Sequence, residues 1–331
     1  MPHLWPSRRP LARPVRPRLH RVRVRAQHLP QLQRARLLGP AGVRSKIGPG
    51  IHYGLSDVAY HADPVEGGSL SRTGAAKILS CPAAFKWWRD NPSGTTASFE
   101  LGKAAHHYVL GTGAPLVSVD APDWRTKAAQ QARDEARSVG AVALLERDFG
   151  QVAEMAAAME QHEGVQQLRA RGGQAEATLI AHDPRTGVAL RCRVDWLPEP
   201  DEYGDVTIWD YKTARSADPR EFARSAAEYD YALQAVWYSG LVRLTGHARR
   251  VHFRFVVQEK TPPYLISVVA INPLQLKYAE TQARTAIDTY AYCTETNRWP
   301  GYVPEDSVAT VSLPFWWELK AESLDPERWT A

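Results

Sequence analysis

Asp210 and Lys212 stand two positions apart at the end of an apolar stretch, Val206-Thr-Ile-Trp-Asp-Tyr-Lys-Thr-Ala214. On an extended chain, side chains two apart emerge on the same side. A carboxylate and an ammonium in such a place are costly to bury unless they are paired or bind an ion. Asp-x-Lys alone more often marks a solvated strand end, so its weight depends on its neighbours. Asp195 lies near the end of Val188-Ala-Leu-Arg-Cys-Arg-Val-Asp-Trp-Leu197, and Glu176 lies in Ala175-Glu-Ala-Thr-Leu-Ile-Ala181. Carboxylates clustered on rigid strands suit hard cations such as Mg²⁺, with Mn²⁺ as a substitute. A lysine beside them can orient or help deprotonate a water, or stabilise charge on a phosphate.

The elements that must position these groups are legible from periodicity and turn residues. The three stretches read as strands rich in β-branched and aromatic residues, with Asp183-Pro-Arg-Thr-Gly187 and Gly204-Asp205 as turns. A three-strand meander can bring Glu176, Asp195, Asp210 and Lys212 into one cleft. Asp218-Pro219 opens a helix predicted to run unbroken to about Leu244, with Gln234 and Tyr238 on one face beside Leu241. Tyr238 is equally well explained as packing. Strands are predicted at residues 251–258 and 264–271, then a helix from Asn272-Pro273 to about Thr296. Residues 299–317, aromatic and Pro-rich, are expected to pack down on the domain as irregular structure.

The front half reads as helical. Predicted helices cover residues 69–79, 83–89, 98–110, 124–138 and 146–162, with the apolar 141–145 between the last two. Phe85, Trp87 and Trp88 read as packing, with stacking on bases as the alternative. Gly102 allows a close approach that would turn His106 toward the cleft. Arg125, Lys127 and Arg133 either line a DNA path or form a solvated face. The predicted architecture is one α/β domain with a central mixed sheet flanked by helices and a helical N-terminal section. Its bounds are an arm at 1–47, a domain at 48–320 (front section 66–165, core 174–296) and a tail at 321–331.

Glu176, Asp195 and Asp210-x-Lys212, in this order, resemble the PD-(D/E)XK nuclease superfamily, although Val194 and not Pro precedes the first Asp. The series Leu101-Gly-Lys-Ala-Ala-His-His107, Cys192-Arg-Val-Asp195, Trp209-Asp-Tyr-Lys-Thr213 and Tyr231-Ala-Leu-Gln-Ala-Val-Trp-Tyr238 is similar to the RecB-type branch. Gly50-Ile-His-Tyr-Gly54, Tyr60-His61, Trp299-Pro300 and Ser312-Leu-Pro-x-Trp316 extend the likeness to RecE (exonuclease VIII) nucleases, over about residues 49–320. The resemblance implies a Mg²⁺-dependent exonuclease that degrades linear duplex DNA 5′→3′, leaving single-stranded tails for recombination. It also implies a ring-like homo-oligomer and a single-strand annealing protein as partner. Asp195 and Asp210 would hold the metal, with Glu176, His106 and the Tyr211 carbonyl completing one or two sites. Gln234 and Tyr238 would position substrate or support the ligands.

The charge is unevenly spread. Residues 1–46 hold 11 Arg and 1 Lys and no acid, so the rest of the 331-residue chain is net −7 although the whole is +5. The arm reads as a non-essential extension, unordered because it has little to bury, with a phosphate-gripping tether as the alternative. Cys81, Cys192 and Cys293 are too few for a four-cysteine iron–sulfur cluster and too scattered for a disulfide framework, which fits a cytoplasmic setting. No run of apolar residues is long enough to span a membrane. The rivals are a structure- or flap-specific endonuclease with the same site and a non-catalytic DNA-binding scaffold. A small-molecule phosphohydrolase is disfavoured, because no Gly-rich phosphate loop is present.

Overall fold

The computed structural model describes residues 23–24, 46–91, 100–111 and 115–322. In chain order the front half comprises β1 (Arg23–Val24), β2 (Gly50–His52), α1 (Asp57–His61), β3 (Leu70–Ser71), α2 (Arg72–Ser80), α3 (Pro82–Asp90), α4 (Glu100–Leu110), β4 (Leu116–Val119), α5 (Lys127–Ser138), β5 (Val142–Leu145), α6 (Glu146–Gln161) and α7 (Glu163–Arg169). The core follows as β6 (Gln174–His182), β7 (Ala189–Leu197), β8 (Asp205–Ala214), α8 (Pro219–Glu228), α9 (Tyr231–Leu244), β9 (Arg250–Glu259), β10 (Ile266–Val269) and α10 (Pro273–Thr296), with α11 (Phe315–Glu322) at the end.

A mixed sheet in the order β10-β9-β8-β7-β6-β2, with β3 paired to β7, forms the centre. The meander β6-β7-β8 is antiparallel as the sequence predicts, and β9 then lies parallel to β8. A parallel neighbour needs a crossover, and α8 and α9 supply it. One face of the sheet packs α2, α9 and α10 over Ile208, Phe253 and Phe255, with Leu233 of α9 among the buried contacts. The other packs α4 and α6 over Trp209, Tyr211 and Val256. Because side chains on β8 alternate, Trp209 and Tyr211 anchor one layer while Asp210 and Lys212 are delivered to the opposite side. Trp209, Tyr211, Ile208 and Phe255 are fully buried, each contributing about 1.5–3 kcal/mol to holding β8 in place.

Helix starts follow local chemistry. Ser71 caps α2 by accepting from the Gly74 N–H, and Asn272 caps α10 through Leu274 N–H with Pro273 in the first turn. The predicted single helix over 218–244 is two helices. Asp230 takes a left-handed conformation (φ 51°), and Arg72 donates to the carbonyls of both Tyr229 and Asp230. An arginine remote in sequence thus satisfies backbone groups that a continuous helix would have used. The sequence has neither Gly nor Pro at this break.

A second, small parallel sheet, β1-β4-β5, carries α5. Its strand β5 is the apolar 141–145 stretch. Two residues of the amino-terminal arm thus pair with β4; the rest of residues 1–45, and Ser98 and Phe99 of the predicted third helix, lie outside the described residues. The expected packing of 299–317 ends at Pro300. Trp299 stacks on Phe85 and closes an aromatic cluster with Trp88 and Tyr290, but residues 301–320 are exposed throughout. Trp299 already fills the space between α3 and α10, and the backbone bonds of the following segment are local, such as Trp317 N–H to Pro314 O. Among the described residues no helix is long and apolar enough to cross a membrane.

Candidate active site

The strand register assembles the acidic groups. Ala175 pairs with Trp196 and Ala177 with Val194, so Glu176 and Asp195 face each other across β6 and β7. Trp196 pairs with Trp209, and the adjacent step sets Asp195 opposite Asp210 on β8. Three carboxylates therefore form a row across three neighbouring strands. Like charges directly opposite one another destabilise a sheet, and two features show the ladder yielding here. Glu176 has a left-handed backbone (φ 54°), unfavourable for any residue but glycine. The Tyr211 N–H donates to Asp195 Oδ2 at 2.7 Å instead of completing a ladder bond.

Lys212 Nζ forms an ion pair with Asp210 Oδ2 and lies 5.0 Å over the ring of Tyr231. Gln234 on α9 donates to Asp210 Oδ1 at 2.5 Å. Asp210 is 3 % exposed, and its Oδ2 has no hydrogen-bond donor beyond the ionic contact with the lysine. His106 reaches in from α4. Its Nε2 donates to the Tyr211 carbonyl at 2.8 Å, which leaves Nδ1 with a free lone pair 3.5 Å from Asp195 Oδ2. Among the described residues His106, Glu176 and Asp195 can each present one ligand atom with all three atoms within 4.8 Å of one another.

Electrostatics describes the same row. Burial, and then the charges of Asp210 and Glu176, push the Asp195 carboxyl well above its ordinary range. Burial lifts Glu176 to about 7 against the opposing pull of Arg193. Burial lowers the His106 imidazole, keeping it neutral, which is the form a metal ligand needs. Burial opposes charge on Lys212, but Asp210 and Asp195 outweigh it and its ammonium is raised.

This donor set fits a hard divalent cation. It offers three carboxylates, one of them buried beside the Lys212 ammonium, and an imidazole oriented by a backbone carbonyl as metal-binding histidines usually are. The Tyr211 carbonyl, expected as a further ligand, accepts from His106. Tyr238 packs edge-on against Phe253 (6.1 Å between ring centres), and burial, then Tyr60 and Asp210, keep its hydroxyl protonated. It contributes packing one turn beyond Gln234.

Two participants escaped the sequence reading. Arg193 on β7 lies 3.7 Å from Glu176 Oε2 and 2.7 Å from Asp57 Oδ1, with its guanidinium 4.4 Å from the Tyr60 ring centre. Arg191, Arg193 and Asp195 alternate onto one face of the strand, which was the available signal. Asp57 was invisible because 136 residues separate it from Arg193. Of Arg125, Lys127 and Arg133, Arg125 pairs with Asp123 and Arg133 with Asp134.

Residues 71–307 match the family described as a PDDEXK-like domain of unknown function (DUF3799), and the chain belongs to that family. The mixed sheet flanked by helices is accordingly the PDDEXK-like fold. Among solved structures, the chain is similar to a provisionally assigned exonuclease from Eubacterium rectale, at 14% identity and a TM-score of 0.49, covering 76% of this chain and 93% of that one. It is also similar to SSO0001, at 14% identity and a TM-score of 0.26, covering 60% and 87%. No curated protein matches the sequence.

Proposed function

We propose that this protein is a divalent-metal-dependent deoxyribonuclease that removes nucleotides from the ends of linear duplex DNA. The observation that carries the proposal is the row Glu176, Asp195 and Asp210 across three strands, with Lys212 and His106 converging on it. Glu176, Asp195, Asp210 and His106 would hold Mg²⁺ or Mn²⁺. When bound, the ion supplies Lewis acidity to the scissile phosphate and acidity to a water.

The chain's own groups do the rest. Lys212 donates to the attacking water or to a phosphate oxygen and stabilises the charge that gathers as the oxygen adds to phosphorus. The attacking water gives up one proton to solvent as its oxygen bonds to phosphorus; the P–O3′ bond then breaks, and the departing oxygen leaves with a proton drawn from water. Gln234 holds Asp210 in one rotamer, and the Tyr211 carbonyl fixes the His106 ring. Action on duplex ends, 5′→3′ polarity, a ring-like homo-oligomer and a single-strand annealing partner come to the proposal from the RecE-type resemblance.

The test offers linear and covalently closed circular duplex DNA with Mg²⁺ to the wild type, Asp210→Ala and Lys212→Ala. Nucleotide release from linear DNA by the wild type alone is the expected result. Nicking of circles would replace it with an endonuclease, and inactivity in both Mg²⁺ and Mn²⁺ would leave a DNA-binding scaffold.

A further inference from the structure

We propose that Tyr229 and Tyr231, at the break between α8 and α9, form a stacking platform for a nucleobase of the strand being cut. The inference rests on the nuclease reading above and adds where the substrate's bases go.

The backbone here is held in an unfavourable shape. Asp230 is left-handed without being glycine, and Arg72, from α2, clamps the break by donating to the carbonyls of Tyr229 and Asp230, the latter at 2.8 Å. Such backbone strain concentrates at ligand sites. What it displays is a ladder of rings. Phe255 in the core stacks on Tyr231 (5.1 Å, 26°), and Tyr231 is followed by Tyr229 (6.0 Å, 33°). Lys212 Nζ sits 5.0 Å from the Tyr231 ring centre, and Tyr229 is 53 % exposed. The ladder thus starts in the core, passes the lysine of the site and ends on a face open to solvent.

An exposed tyrosine by itself needs no explanation. This one continues a stack that touches the Lys212 ammonium. The chemistry of the rest of the domain gives the stack a task. Residues 47–331 are net −7, and the site itself is a row of carboxylates, so charge alone grips the polyanion poorly. Stacking supplies affinity without net charge, and it tolerates sequence because every base has a π-face. A base lies one sugar away from its phosphate, which matches a platform one ring removed from the lysine.

Binding is read first in Ca²⁺, from the fluorescence of 2-aminopurine at the end of a short duplex, so that the result does not depend on turnover. The full chain should quench the probe, Tyr229→Ala should weaken binding by about 5- to 100-fold, and Tyr229→Phe should restore it. A duplex with an abasic terminal nucleotide should bind wild type and Tyr229→Ala equally. Hydrolysis in Mg²⁺ should show the Tyr229→Ala defect in KM with kcat little changed. If Tyr229→Ala binds the 2-aminopurine duplex as the wild type does, the platform is wrong even where the wild type degrades DNA. If the wild type quenches but does not hydrolyse, the platform stands and the nuclease reading falls; if it neither binds nor cleaves, both fall.

Discussion

At the scale of single residues, the site is built against the fold's own stability. Glu176, Asp195 and Asp210 lie side by side where the ladder between β6, β7 and β8 opens, and removing one charge relieves repulsion that nothing else in the sheet requires. Asp195→Asn can still accept from the Tyr211 N–H. It is expected to raise the metal-free melting temperature by roughly 2–4 °C, about 1 kcal/mol for a domain of this size, while nucleotide release falls on the order of 1000-fold. Calorimetry beside a release assay checks both; a lower melting temperature would make Asp195 a structural residue. Gln234→Leu deprives Asp210 Oδ1 of its donor and should weaken Mn²⁺ affinity by about 10–100-fold, as loss of ligand-orienting groups usually does. Unchanged affinity would show the contact to be incidental. Most of this site was readable in advance, because strand alternation places Asp210 with Lys212 and the meander places Asp195 and Glu176. Arg193 and Asp57 were not read, since their contact closes a long loop that local pattern does not encode.

At the scale of elements, what was legible and what was not divides along local chemistry. The strands β6 to β9 and the caps at Asp218 and Asn272 follow from side-chain alternation and short-range hydrogen bonding. The break at Tyr229–Asp230 does not, because Arg72 makes it from another element. The pairing of β3 with β7 and the small β1-β4-β5 sheet likewise depend on partners distant in sequence. The β6–β7 turn illustrates a tertiary anchor with a pH signature. Burial opposes charge on Asp183, but hydrogen bonds from Arg284 on α10 and from Thr186 outweigh it and hold the carboxyl down to about 2. Its folded pKa lies below the unfolded value, so the stabilisation is full above pH 4 and is lost as pH falls from about 4 toward 2. Because Arg284 is partly solvated, the amount is on the order of 1 kcal/mol. Asp183→Asn should remove that part of the acid dependence in denaturant titrations at pH 5 and pH 3; an unchanged difference between the two would remove Asp183 from the acid response.

At the scale of the whole molecule, the charge is divided between arm and domain. Twelve basic residues belong to the arm before a net acidic domain, and the described part of the arm adds the short strand β1, the Lys46 ion pair with Glu66 and the Ile47 N–H bond to Pro64 O. Deleting residues 1–46 should leave kcat on linear DNA within about twofold at low salt, since every group assigned to the chemistry lies beyond them. Loss of turnover with the circular dichroism of the fold intact would place the arm in the machinery. The proposed chemistry requires one divalent ion shared by side chains of β6, β7 and β8 with His106 of α4. Calorimetric titration of the metal-free protein with Mn²⁺ addresses it most directly, comparing the wild type with Asp195→Asn and Asp210→Asn. Saturable binding by the wild type, weakened at least tenfold in each variant, is the expected result. Equal binding by all three proteins, or none by the wild type, would contradict the shared site.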